Sequence, residues 1–119
     1  MGKRLSTYHK RRMEIALAYI EDHFTRDLLL EEVSNACGMS KFHFTRVFKD
    51  HAGCSFKSHL NRRRVNHAKE LLMCLDLSIT EVCLDSGFND LSYFDRVFRR
   101  LEGMSPTAFR LMHFPDEDD

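Results

Sequence analysis

Proline and glycine are scarce in this 119-residue chain, with two and five residues respectively. Helix breakers this rare leave long uninterrupted stretches, and no stretch reads as a strand. Glycine-rich phosphate loops and a G-x-S-x-G elbow are both missing, and hydrolase chemistry also needs strand ends to carry its nucleophile and base. An enzyme is therefore not expected, and no catalytic residue or cofactor is assigned. Cys37, Cys54, Cys74 and Cys83 form no C-x-x-C pair. With no secretory segment ahead of them, they read as free thiols in a reducing cytoplasm rather than as disulfides. His51 and Cys54 have metal-ligand spacing, but no second pair follows, so no metal site is expected. His43, His51, His59 and His67 recur every eight residues, across the break at Gly53, and read as surface or half-buried imidazoles. No apolar run approaches the roughly 20 residues that cross a bilayer. Lys3 and Arg4 are followed by more charge rather than by an apolar leader.

Net charge is missing too, because 18 basic side chains balance 18 acidic ones. The balance hides an arrangement. Asp116, Glu117, Asp118 and Asp119 close the chain, which leaves 14 acidic against 18 basic groups in residues 1–115. Between residues 41 and 69, Lys41, Arg46, Lys49, Lys57, Arg62, Arg63, Arg64 and Lys69 face only Asp50. The middle of the chain is strongly basic, and its length suits one domain.

What is present is helical periodicity. Met13, Ala16, Leu17, Ile20 and Phe24 follow one helix face. Leu30, Val33 and Cys37 mark a short second helix stopped by Gly38. Ser40 caps a third helix to about His51, and Ser55 opens a long fourth to about Met73. Ser78 and Glu81 form a capping box for a fifth helix, which ends at Gly87. A sixth runs over about Asp90–Glu102, and Ser105-Pro106 starts a seventh.

Two of these segments repeat each other. Glu32-Val33 and Cys37-Gly38 match Glu81-Val82 and Ser86-Gly87. After one extra turn residue, Phe44-Thr45-Arg46-Val47-Phe48-Lys49 matches Phe94-Asp95-Arg96-Val97-Phe98-Arg99. Each copy is a short helix, a glycine-bearing turn and a longer helix, the pattern of a helix-turn-helix. One difference stands out: Leu29 replaces the cap Ser78. The first short helix must then start on packing of Leu28–Leu30 or on Asp27 upstream.

On the longer helix of each copy, 100° per residue puts Phe44, Val47 and Phe48 on one side, with Phe94, Val97 and Phe98 as their equivalents. Phe42, Thr45, Arg46 and Lys49 take the other side of the first, and Ser92, Asp95, Arg96 and Arg99 that of the second. Such outer faces suit a recognition helix: arginine forks to guanine, hydroxyls bond base edges, and an aromatic ring lies on a thymine methyl. Alternatively, each arginine is a solvated surface residue and Phe42 covers the first helix. Asp95 either accepts from cytosine or pairs with Arg99 at i, i+4, and pairing is favoured. Arg62, Arg63 and Arg64 fan over about 200°, so one or two can meet phosphate while the rest are solvated or pair with Glu70. A helix-turn-helix that serves as a protein adaptor is the rival function, separable by salt dependence.

The second motif, from Gly87-Phe88-Asn89-Asp90-Leu91-Ser92-Tyr93-Phe94-Asp95-Arg96-Val97-Phe98-Arg99 to Gly103-Met104-Ser105-Pro106-Thr107-Ala108-Phe109-Arg110, resembles the signature of the AraC/XylS family of bacterial transcription regulators. The run from Cys37 to Lys49 is similar to the family's first motif. The resemblance implies an all-α fold of seven helices, with two homeodomain-like helix-turn-helix subdomains joined by a long connecting helix. It places the DNA-binding domain at residues 13–112, after a basic segment (1–12) and before an acidic tail (113–119). Within it, the two helix-turn-helix units take about 30–51 and 78–102, and the connecting helix about 55–73. Carried over, Lys41, Phe42, Thr45 and Arg46 form one base-reading surface, and Leu91, Ser92, Asp95 and Arg96 the other. Ser40, Lys49, Arg62, Asn89 and Arg99 are the expected phosphate contacts. Phe42 stands where single-domain members often carry tryptophan, and Asp95 where many carry a neutral or small residue.

The implied partners are double-stranded DNA and RNA polymerase, in the bacterial cytoplasm, with no membrane and no small-molecule effector visible in this chain. The chain is expected to be a stand-alone member or the C-terminal domain of a longer regulator. A connecting helix of roughly 18 residues spans about 27 Å. With the flanking units, that length suits recognition helices one DNA turn apart, about 34 Å, on a site of roughly 20 bp.

Overall fold

The structure, a computed structural model, describes residues 6–114. Among them are seven helices and no strand: α1 (Thr7–His23), α2 (Leu30–Ala36), α3 (Lys41–Ala52), α4 (Phe56–Leu72), α5 (Ile79–Asp85), α6 (Leu91–Glu102) and α7 (Pro106–His113). Hydroxyl caps explain most of the starts. Ser6, Ser40, Ser55, Ser78 and Ser105 each accept the backbone N–H three residues on, at 3.0–3.2 Å, and Asp90 does the same for α6. The chain divides into two units within α4, after Leu60. The all-α class with two helix-turn-helix units is the one expected.

In the first unit, Met13, Ala16 and Ile20 of α1 meet Val33 of α2 and Phe44 and Phe48 of α3, all fully buried. The second unit repeats the plan with Val65, Ala68 and Leu72 of α4, Val82 of α5, and Phe94, Val97 and Phe98 of α6. Its Phe98 ring meets Phe109 of α7 edge-on at 5.7 Å, and Phe48 meets Phe56 in the same way at 6.0 Å. Aromatic burial of this kind dominates small cores, each ring contributing several kcal/mol (about 3–5 on truncation to Ala).

Two local features differ from the sequence expectations. Helix α1 starts at Thr7, inside the stretch 1–12 read as a basic segment. Its first turns carry exposed Thr7, Tyr8, Lys10 and Arg11, so no apolar face marks them in the sequence. Helix α2 does use buried Leu28, with Leu30 packed on the core, but Asp27 is not its cap. Glu32 reaches back instead, accepting the Leu29 N–H at 3.2 Å, which is the second half of a capping box whose first half is missing. The acidic tail Asp116–Asp119 lies outside the described residues.

The turn of each helix-turn-helix needs glycine. Gly38 and Gly87 have φ of 71° and 107°, a backbone region costly for any side chain. Past them, the Met39 N–H bonds the Ser34 carbonyl at 2.9 Å and the Phe88 N–H the Cys83 carbonyl at 3.1 Å, closing each short helix in the same way. Three residues then separate Gly87 from α6, against two between Gly38 and α3. The extra one is Asn89.

Candidate nucleic-acid interface

Helix α3 turns Phe44, Val47 and Phe48 inward and leaves Lys41, Phe42, Thr45, Arg46 and Lys49 exposed. Phe42 is 78% exposed, so it does not cover the first helix. Its ring stands 5.7 Å from the Lys41 ammonium. The Lys41 Nζ is also 3.5 Å from Glu31 of α2, an exposed and weak pair. Thr45 donates its hydroxyl proton to the Lys41 carbonyl at 2.9 Å, leaving its oxygen lone pairs and methyl group outward. Arg46 and Lys49 have no carboxylate in ion-pair range among the described residues. Ser40 spends its hydroxyl on the His43 N–H as the α3 cap.

Helix α6 has the same inward face and a different outward one. Leu91, Ser92, Asp95 and Arg96 are brought together around a shallow cavity of about 460 Å³, floored by Ile79, Phe94 and Pro106. Arg96 leans on the Tyr93 ring, 5.6 Å from its centre. The Tyr93 hydroxyl accepts a 2.9 Å hydrogen bond from the buried Asn61 of α4. Asp95 is spoken for, since its Oδ2 accepts the Arg99 Nε–H at 2.6 Å. That is the i, i+4 pair the spacing favours over cytosine contact. Asn89 is exposed in the turn ahead of α6.

Arg62, expected at a phosphate, is held by a carboxylate of its own unit. Its Nη1 is 3.8 Å from Glu102, and Lys69 reaches the same carboxylate at 3.0 Å. Glu102 is only 14% exposed, so these two cations of α4 compensate a mostly buried charge at the end of α6. Glu70, offered as a partner for the arginine run, instead faces His67 at 3.3 Å.

Sequence reasoning missed the supports of this surface. Arg12 donates from Nη1 to the Cys37 carbonyl at 3.2 Å, closing the C-terminus of α2 where the turn begins. Arg26 clamps Glu32 at 2.8 Å and the Tyr19 hydroxyl adds a bond at 3.3 Å. The Arg26 hydrogen bond, followed by that from Leu29, holds the Glu32 carboxyl at about 2. Burial raises the thiols of Cys37, at the end of α2, and Cys83, within α5, away from reactive thiolate character. Among the described residues no three His, Cys, Asp or Glu side chains converge as metal ligands, and no helix is long and apolar enough to cross a membrane.

Two buried helix pairs, each presenting a polar, cation-bearing outer face on its second helix, define a duplicated helix-turn-helix DNA-binding domain. A profile described as a helix-turn-helix domain matches residues 33–112. The chain belongs to the AraC/XylS family of DNA-binding transcription regulators, a family of regulators rather than enzymes. It is 38% identical over 104 residues to the regulatory protein PocR of Salmonella typhimurium, which covers 87% of this chain and 34% of PocR. The chain thus spans about a third of that relative's length. The C-terminal domain of AraT, a response regulator from Geobacillus stearothermophilus, superposes with a TM-score of 0.81 at 32% identity, over 98% of this chain and 94% of that one. The DNA-binding domain of AdpA, a global transcriptional factor solved in complex with a target DNA, gives a TM-score of 0.80 at 29% identity, over 86% and 91% of the two chains.

Proposed function

We propose that this chain binds a specific duplex site with α3 and α6 in successive major-groove segments and thereby controls transcription initiation in the bacterial cytoplasm. The observation that carries the reading is the outer face of α3. Arg46 and Lys49 stand exposed, with no carboxylate in ion-pair range among the described residues, beside Thr45 and an exposed phenylalanine. No requirement of the fold explains such a face, whereas a base-reading helix needs it. Lys41, Phe42, Thr45 and Arg46 read one segment; Leu91, Ser92 and Arg96 read the other. Ser40, Asn89, Lys49 and Arg99 serve phosphates, with Asp95 holding Arg99 by Nε so that both terminal nitrogens stay available. Arg62 contributes to this set only after leaving Glu102.

Selection of bound duplexes from a random pool, followed by footprinting at two salt concentrations, tests the proposal. One chain should protect roughly 20 bp on one face, without two-fold symmetry, because the two outer faces differ. Affinity should fall steeply with salt. Binding that is insensitive to salt, or protection of a single groove segment, would refute it. RNA polymerase is the proposed second partner, in keeping with a regulator's role; run-off transcription from the selected site, with and without the chain, reads it directly.

A further inference from the structure

The first turns of α1 carry chemistry that the recognition helices do not use. Thr7, Tyr8, Arg11, Arg12 and Ile15 line a shallow basin of about 430 Å³. No acidic side chain occurs before Glu14, and Arg11 is exposed with no carboxylate in ion-pair range among the described residues. Arg12 is fixed from two sides, by its 3.2 Å bond to the Cys37 carbonyl and by the Tyr8 ring, whose centre lies 4.6 Å from the guanidinium carbon. The Tyr8 ring in turn meets His9 at 5.6 Å, and His9 meets His43 edge-on at 5.1 Å. His43 is the third residue of α3. The basin is therefore mounted on both the turn and the recognition helix of its own unit.

We infer that this basin binds a phosphodiester group of the DNA backbone next to the segment read by α3. The inference rests on the DNA-binding reading above. Guanidinium forks match phosphate oxygens two at a time, and tyrosine and threonine hydroxyls are common phosphate donors. Ile15 offers an apolar end for the adjoining sugar. Because Arg12 and Tyr8 are already held, little conformational freedom is lost when the phosphate arrives.

The test uses the full chain, its selected duplex and an unrelated duplex. Arg11→Ala should weaken both by the same severalfold factor and flatten the salt slope by about one unit. It should also erase an ethylation interference at a single phosphate flanking the α3 segment. Tyr8→Phe, which keeps the stack on Arg12 and removes only the hydroxyl, should weaken that same interference. Lys10→Ala removes an exposed charge from the same turn without touching the basin, so it should leave the interference in place. An unchanged ethylation pattern in Arg11→Ala would overturn the inference, and so would Lys10→Ala reproducing its slope and pattern. Failure of the wild-type chain to bind any duplex would instead refute the DNA-binding reading itself.

Discussion

Arg46 and Arg96 occupy the same position of the repeat but not the same electrostatic setting. Arg46 has no carboxylate in ion-pair range among the described residues, while Arg96 leans on Tyr93 beside the Asp95–Arg99 pair. Arg46→Ala should therefore cost about 1–3 kcal/mol in binding and relax base preference in one half of the site. Arg96→Ala should cost less and affect only the other half. Titration of both variants against half-site mutants checks this, and a larger loss for Arg96→Ala would show that α6 leads. Glu32 gives a pH prediction at the same scale. Its carboxyl is held at about 2, below the ordinary 4.5, so it stabilises the fold fully above pH 4.5. That contribution is lost as pH falls from 4.5 towards 2. Glu32→Gln keeps an acceptor for the Leu29 N–H but loses the charge facing Arg26. Thermal melts should show it less stable at pH 7 and less sensitive to acid across that window.

Helix α2 has the weakest start of the seven elements, because Leu29 offers no side-chain acceptor. Leu29→Ser restores the missing half of the capping box and should stabilise the chain by about 1 kcal/mol, read from denaturant midpoints. The Leu29 side chain is 59% exposed, so little packing is lost in exchange. This helix also shows where sequence reading ran out. The inward faces of α3 and α6 were legible because Phe44, Val47 and Phe48, like Phe94, Val97 and Phe98, are apolar at helical spacing. Gly38 and Gly87 were legible as stops because only glycine tolerates their backbone. The start of α1 was not, since an exposed polar turn has no periodicity. Nor could spacing reveal the Arg12–Cys37 bond or the Arg62–Glu102–Lys69 cluster. These join residues 25 to 40 positions apart, and only the folded chain brings them together.

At the scale of the whole molecule, each recognition helix is supported by its own aromatic core, and the two cores can be damaged separately. Phe48→Ala and Phe98→Ala each open a cavity worth about 3–5 kcal/mol. On a footprint of the selected site, Phe48→Ala should erase chiefly the half read by α3, and Phe98→Ala the other. Loss of both halves together in either variant would mean that the units do not fold independently. The division of labour around each recognition helix has a consequence for descent. The inward residues answer to packing and, on the proposed reading, most outward ones answer to DNA, so few positions serve both masters. A gene that duplicates such a unit can let one outer face drift while its core is held by selection for folding. Two words of a recognition code can then diverge from one ancestor without passing through an unfolded intermediate. The same property makes the outer face of α3 a place to write a new binding preference: four or five exposed side chains can be randomised with little cost to stability.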